Sequence, residues 1–432
     1  MRRWVPILLL LAACRPEGDG GEGIRAGLDR AFPREHVARI RLQVDGGWGV
    51  MEEAYVFDGI TEYRAASLAW DGERLDPVGL RIRGPVEDGH GRSSPKQDLR
   101  IDFNTFGGSR FHGVDRVNLQ GDFDDPSLMR RLLASRMYRA MGVPAGRAAL
   151  AVVELDGEEL GVYTLLQPLD GRFLRAEFGR RDGADDGTLY GCAPPFCHLF
   201  DAGDAKDDYR IPDCGGGEPC GWVLETHETD PARNGYGDLV TFIQWINTAT
   251  DEEFAAGIED RFDVDGFLRF LAVAAAIGDY DGYLKSYEDF SLYHRPDTDR
   301  WVFLPVDHDR SYGDGSCKGS LEPTGGPVLP PWCGWETRPL GDRILAVGAY
   351  EDAYLGYIEE VATEWLTVEV HRAWIDELEA LLRGPLAADP SFPFTPVVHE
   401  ASLGSAVSDW EPPNLLEFVE ARQARLLEEV SR

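Results

Sequence analysis

Positive charge is scarce in this chain: 43 Lys and Arg stand against 76 Asp and Glu, a formal net charge of −33 over 432 residues. That excludes nucleic-acid binding through a broad basic face, because phosphate contacts need clustered cations. Long hydrophobic runs are missing as well. The one apolar stretch at the N-terminus, Trp4–Ala13, is too short to span a bilayer, and no span follows it. There is no CxxC pair, no GxxxxGK[ST] phosphate loop and no internal repeat. What remains is 43% apolar and 11% aromatic, which excludes a disordered chain, and is long enough to bury a large core in two or more lobes.

Arg2 and Arg3 precede Trp4–Ala13, the arrangement of a signal-peptide h-region. The run ends Leu11-Ala12-Ala13-Cys14, which resembles the bacterial lipobox. On that resemblance residues 1–13 are a signal peptide, Cys14 is lipidated, and 14–35 follow as a flexible tether that starts with the Gly-rich Arg15–Gly23. Arg15 in place of Asp after the cysteine favours the outer membrane of a bacterial envelope. Six cysteines are left, and their spacing points to local disulfides, 192–197, 214–220 and 317–333. A zinc site with His198 is the competing reading.

The stretch Gly278–Gly313 (GDYDGYLKSYEDFSLYHRPDTDRWVFLPVDHDRSYG) gathers carboxylates at Asp279, Asp281, Glu288, Asp289, Asp307 and Asp309. Two apolar-aromatic runs, Phe290–Tyr293 and Trp301–Val306, flank the turn-rich His294–Asp299, so a β-hairpin is expected, with Asp289 brought near Asp307. Carboxylates so gathered repel unless a cation or protons sit among them. A solvated acidic loop is the plain alternative.

Along the chain, His36–Val44, Glu53–Phe57, Glu62–Trp70 and Leu75–Arg83 read as strands, and Val78–Phe103 as strand, Gly-rich loop, strand. Asp125–Met141 reads as a helix capped by Asp125 and ended by Gly142. Ala148–Leu155 and Glu159–Leu166 flank Asp156-Gly157, a hairpin signal. Residues 179–223 look loop-rich. Helices are expected over Asp238–Asn247, Asp251–Gly257, Asp263–Ile277, within Gly341–Leu382, and over Pro413–Val430. The layout is α+β, β-rich first and helical second. On these residues alone, an ATP-dependent phosphotransferase and a calcium-stabilised surface protein both remain open.

The order of motifs resembles the CotH (spore-coat protein H) kinase family of atypical secreted protein kinases. LRIRG at 80–84 with SSPKQDLRIDF at 93–103, the block from Phe111 to Asp170, LETHETDPARNGYGDLVTFIQWIN at 224–247 and the Gly278–Gly313 stretch carry the likeness in order, over roughly residues 36–430. The resemblance implies a two-lobed atypical protein-kinase-like fold over 36–432. Its β-rich N-lobe would cover about 36–178, a Cys-bearing insertion about 179–223, and a mainly helical C-lobe about 224–432.

The implied activity is transfer of the ATP γ-phosphate, with Mg²⁺ or Mn²⁺, to Ser or Thr of a secreted or envelope protein. Residue by residue, Asp281 matches the catalytic aspartate. Lys96, with Arg83, Ser93 and Ser94 in the same hairpin, matches the nucleotide-phosphate contacts. Asp307 and Asp289, with Asp309 beside them, match the metal site. Three departures stand out: Asp289 where the family has Asn, Gln167 where it has a Glu that would pair with the lysine, and Pro85 interrupting the phosphate hairpin. They define the alternative, a weak or inactive relative with a structural, attachment or secretion role. A metal-dependent hydrolase is a third reading.

Overall fold

A computed structural model of the protein describes residues 21–83, 96–122, 124–193, 197–214, 219–313, 326–332, 337–403 and 414–431. Cys14, Ser93, Ser94, Pro85, Cys317 and Cys333 lie outside the described residues.

Seven strands close into a barrel: β1 (Ala38–Val44), β2 (Arg64–Trp70), β3 (Glu73–Ile82), β4 (Leu99–Asp102), β5 (Arg116–Gln120), β6 (Ala148–Leu155) and β7 (Glu158–Leu166). Their order is β1-β2-β3-β4-β5-β7-β6, and the seam closes by parallel pairing of β1 with β6. Strict alternation drives the closure. In β1, Ala38, Ile40, Leu42 and Val44 point inward while the residues between them are exposed. The expected Asp156-Gly157 hairpin joins β6 to β7, both turn residues taking positive φ (53° and 86°), as a type I′ turn requires.

A second sheet runs β12-β11-β8-β10-β9, built from β8 (Thr188–Ala193), β9 (Arg210–Ile211), β10 (Cys220–Leu224), β11 (Phe290–Arg295) and β12 (Arg300–Pro305). Segment 179–223, expected to be loop-rich, therefore supplies three of these strands. The disulfides Cys192–Cys197 and Cys214–Cys220 sit at their ends, as the spacing indicated.

The helices are α1 (Gly21–Ala31), α2 (Trp48–Asp58), α3 (Arg130–Ala140), α4 (Gly171–Phe178), α5 (Gly237–Thr248), α6 (Asp251–Gly257), α7 (Val264–Ile277), α8 (Pro339–Leu345), α9 (Gly348–Glu360), α10 (Val368–Ala388), α11 (Pro396–Leu403) and α12 (Leu415–Val430). Among the described residues no helix is long and apolar enough to cross a membrane. The fold is α+β.

Three expectations change. Glu53–Phe57 is not a strand but the second half of α2, whose buried Trp48, Met51 and Tyr55 recur at helical spacing while Phe57 is exposed. Helix α3 begins at Arg130 and not at Asp125, because Leu128 takes a φ of 55° that breaks the helical run. Asp125 still collects the N–H groups of Ser127, Met129 and Arg130. The second half of the expected tether is α1, which buries Leu28 and Ala31, with Phe32 just beyond it, against the barrel core.

Strand β6 faces two cores. Ala149, Ala151, Val153 and Leu155 point into the barrel, while Leu150 and Val152 join the larger cluster formed by the helices and the second sheet. The groups of the candidate site hang from the barrel wall on one side and from the β11–β12 hairpin on the other.

Candidate active site between the barrel and the second sheet

The outward positions of β3, β4 and β5 are the sequence's arginine positions. Inward residues Leu80, Ile82, Leu99, Ile101, Val117 and Leu119 fill the barrel, which sends Arg81, Arg83, Arg100 and Arg116 to the outside. Arg81 and Arg100 pair directly across the ladder. Burial, then Arg83, Arg116 and Arg81, pull the Arg100 guanidinium down to about 9. Arg83 is likewise lowered, by burial first. Glu225, just past β10, faces this wall, and burial raises its carboxyl despite Arg116 and Arg100. Like charges crowded out of water favour an anion as partner.

Arg83, Arg100 and Arg131 line a cleft of about 220 Å³ whose other side is Gly191, Cys192, Phe290, Ser291 and Pro305 of the second sheet. The hairpin brings one of its carboxylates, Asp307, into the cleft lining. Phe290 pairs with Pro305, and Val306 N donates to the Asp289 carbonyl, so Asp289 and Asp307 meet as expected. Both take positive φ, 57° and 50°.

Asp289 is pushed well above the ordinary carboxylate range by burial and by Asp309, Asp281, Asp279 and Glu288. Asp281 is raised by burial and Asp309, against Arg310 and Lys285, and accepts from Ser286 Oγ at 3.4 Å. Burial and Asp281 lift Glu288 to about 7. These carboxylates are close enough to resist one another's ionisation.

Arg131, on α3, is the counter-charge already present. Nε donates to Asp122 at 2.6 Å, one terminal nitrogen reaches Asp307, and the other lies 3.1 Å from Asp309. Burial alone would lower its pKa, but Asp309 and Asp122 raise it. Among the described residues no three His, Cys, Asp or Glu side chains stand ready as a metal cage. Mg²⁺ is commonly held by one or two carboxylates, with water and substrate phosphates completing the octahedron. The hard oxygen donors Asp289, Asp307 and Asp309 fit a cation that arrives with a phosphate ligand.

Lys96 is placed otherwise than the motif implies. Its amine, only 2% exposed, donates to Val162 O at 2.9 Å and to Asp389 past the end of α10, and it is not part of the cleft wall. Burial lowers its pKa, against Asp389. Gly161 makes room for the contact: with a φ of 97°, a Cβ there would lie 2.0 Å from the Asp389 carboxylate. Gln167 does not reach the lysine; its Oε1 accepts from Arg147. The acidic partner that seemed lost at 167 is supplied by residue 389. Sequence reasoning missed Arg100, Arg116, Arg131 and Asp389. For the first two the signal was there, as outward positions of alternating strands. Asp389 left none.

A barrel wall of arginines thus faces the β11–β12 hairpin across one cleft. The profile of the family described as CotH kinase protein matches residues 80–426, and the chain belongs to that family. It is 27% identical over 241 residues to the inner spore coat protein H of Bacillus subtilis, covering 56% of this chain and 60% of that protein. It is 28% and 26% identical to the invasins CotH3 and CotH2 of Rhizopus delemar, each match covering 44% of this chain and 30% and 31% of the invasin. The matches span less than two thirds of these relatives' lengths.

Proposed function

We propose that the protein is an atypical, two-lobed kinase acting outside the cytoplasm, which moves the γ-phosphate of ATP to Ser or Thr of a secreted or envelope protein. The observation that carries this reading is the adjacency, in a strongly acidic chain, of a half-buried arginine wall and a carboxylate cluster that reaches the same cleft through Asp307. A polyphosphate escorted by a divalent cation satisfies both at once.

In this reading Arg83, Arg100 and Arg131 take the phosphate charge, and Asp281 orients the acceptor hydroxyl and receives its proton. Asp307, Asp289 and Asp309 would hold Mg²⁺ or Mn²⁺, which would supply neutralisation of phosphate charge. Lys96 works from behind the wall, through its pair with Asp389. The raised pKa of Asp281 suits a proton acceptor better than that of an exposed aspartate. A surface location agrees with the spore-coat and invasin relatives; Cys14 as a lipid anchor in an outer membrane belongs to the proposal beside it.

The test is ATP transfer with Mn²⁺ or Mg²⁺ by wild type and Asp281→Ala. The variant should lose about 10²–10⁴ in rate with its fold intact, and a wild-type protein that labels no acceptor sinks the proposal. The salt bridges of Arg131 to Asp307 and Asp309 favour one rival, a non-catalytic attachment or envelope protein in which that arginine permanently fills the cation's place. A thermal shift separates the two, since a ligand bound to the native state must raise apparent stability. No shift at millimolar ATP with Mn²⁺ favours the rival.

A further inference from the structure

In a chain with a formal net charge of −33, one cavity reverses the sign. It lies beside the cleft described above and shares only Ser135 with it, bounded by α1 and the residues after it, α3, α10 and the start of β6. Its volume is about 440 Å³, within the range of small-molecule sites. Arg34, Arg136, Arg139 and Arg147 line it with a single carboxylate, Asp29. Arg136 and Arg139 are three apart on α3 and so share a face, while Arg147 stands at the foot of β6.

The counter-charges are too few for four guanidiniums. Glu377 takes Arg136 through two bonds of 2.9 and 3.3 Å. One oxygen of Glu177 is shared between Arg139, at 3.2 Å, and Arg147, at 3.3 Å. Asp29 lies 3.9 Å from Arg147 Nε. Arg34, which is exposed, has no ion pair among the described residues. Burial lowers Arg136 in spite of Glu377, and Arg34 adds to the fall. Burial and Arg139 lower Arg147, against Glu177 and Asp29. An arriving oxyanion relieves both, and the guanidinium fork is the donor set that carboxylate and phosphate fit.

The remaining wall says what the oxyanion is attached to. Phe32, Leu132 and Trp374 line the same cavity, and the Arg136 guanidinium lies over the Trp374 ring, 6.0 Å from its centroid. A bare inorganic anion leaves that apolar wall wet, whereas a ligand with an apolar body covers it.

We propose that Arg34, Arg136, Arg139 and Arg147 form a second anion site, for a small organic carboxylate or phosphate whose apolar body rests on Trp374. The site does not depend on the ATP reading, because none of these four arginines lines the first cleft.

Two probes carry the two oxyanions on the same ring, phthalate and phenyl phosphate. Each is titrated calorimetrically at low ionic strength into the full chain as wild type, Arg34→Gln and Arg100→Gln. Replacing Arg34 strands no partner, so the variant should melt as wild type does. Wild type should bind at least one probe, and the tighter one names the oxyanion. Arg34→Gln should bind it about tenfold more weakly, the worth of one charge-assisted hydrogen bond, while Arg100→Gln should match wild type. Wild type that binds neither probe overturns the inference, as does equal affinity in wild type and Arg34→Gln. Weakened binding in Arg100→Gln puts the anion in the first cleft and overturns it too. Inorganic phosphate bound as tightly as phenyl phosphate rejects it as well, since the proposed ligand has an apolar body.

Discussion

Lys96 and Asp389 stand 293 positions apart in sequence and form an ion pair with almost no exposed surface. Asp389 also accepts from Val162 N at 2.8 Å and Ser391 N at 2.8 Å, so it ties the end of α10 to the barrel wall. Breaking one half of a buried pair costs more than the pair is worth, because the remaining charge is stranded. Asp389→Asn should therefore lower unfolding free energy by about 3–5 kcal/mol, read from urea denaturation. Adding Lys96→Met should recover most of that loss, since the asparagine can still accept from Val162 N and no ammonium remains buried. A double variant as unstable as the single would contradict this account.

Arg100 lies in the middle of the arginine wall, where burial and then Arg83, Arg116 and Arg81 depress its pKa. Arg100→Gln should relieve crowding, leave stability equal or slightly higher, and weaken ATP binding about tenfold, a loss of about 1.4 kcal/mol. The weakening should be strongest at low salt. Calorimetric titration at two ionic strengths checks both signs.

Asp289 resists ionisation because of burial and because Asp309 and Asp281 are near. Asp289→Asn removes that conflict at neutral pH. The variant should melt higher than wild type in the presence of a chelator, and gain less than wild type when Mn²⁺ is added. Paired melting curves with and without the cation decide it; an equal cation response would remove Asp289 from the metal site.

His371, on α10, is fully buried, with Tyr312 Oη 3.1 Å from Nε2 and the Thr367 carbonyl 3.2 Å from Nδ1. Burial lowers it to about 4 despite the Thr367 carbonyl, from an ordinary 6.5. Between those values the unfolded chain takes up a proton that the folded one refuses. The stability from the neutral ring is complete above pH 6.5 and is lost as pH falls towards 4, by roughly 3 kcal/mol in all. The difference in urea midpoint between wild type and His371→Gln should shrink steadily from pH 7 to pH 4.5.

The hairpin at Phe290–Pro305 was legible because period-two burial and turn chemistry act over a few residues, and the same holds for Asp156-Gly157 between β6 and β7. Helix α7 was legible to within a residue, since Asp263 caps it and Gly278 ends it. Glu53–Phe57 misled because four apolar or aromatic residues in a short run fit a strand as well as a helix, and only the burial of Trp48, Met51 and Tyr55 decides. The arginine wall was hidden for another reason. Arg81, Arg83, Arg100 and Arg116 look like scattered surface charges until strand pairing puts them on one face. Asp389 could not be found at all, because nothing local marks a carboxylate that pairs across most of the chain.

That long-range pair orders assembly in time. A chain emerging from its N-terminus can close the barrel once β7 joins β5 to β6, when residue 166 is out. Loop closure over such spans is slow relative to local hairpins. The lysine's acidic partner and the capping contact on Gly161 arrive only with residue 389. Maturation of the site thus waits for residue 389, and a fragment ending after α9 would carry the motif stretches through Gly313 yet lack the brace behind them.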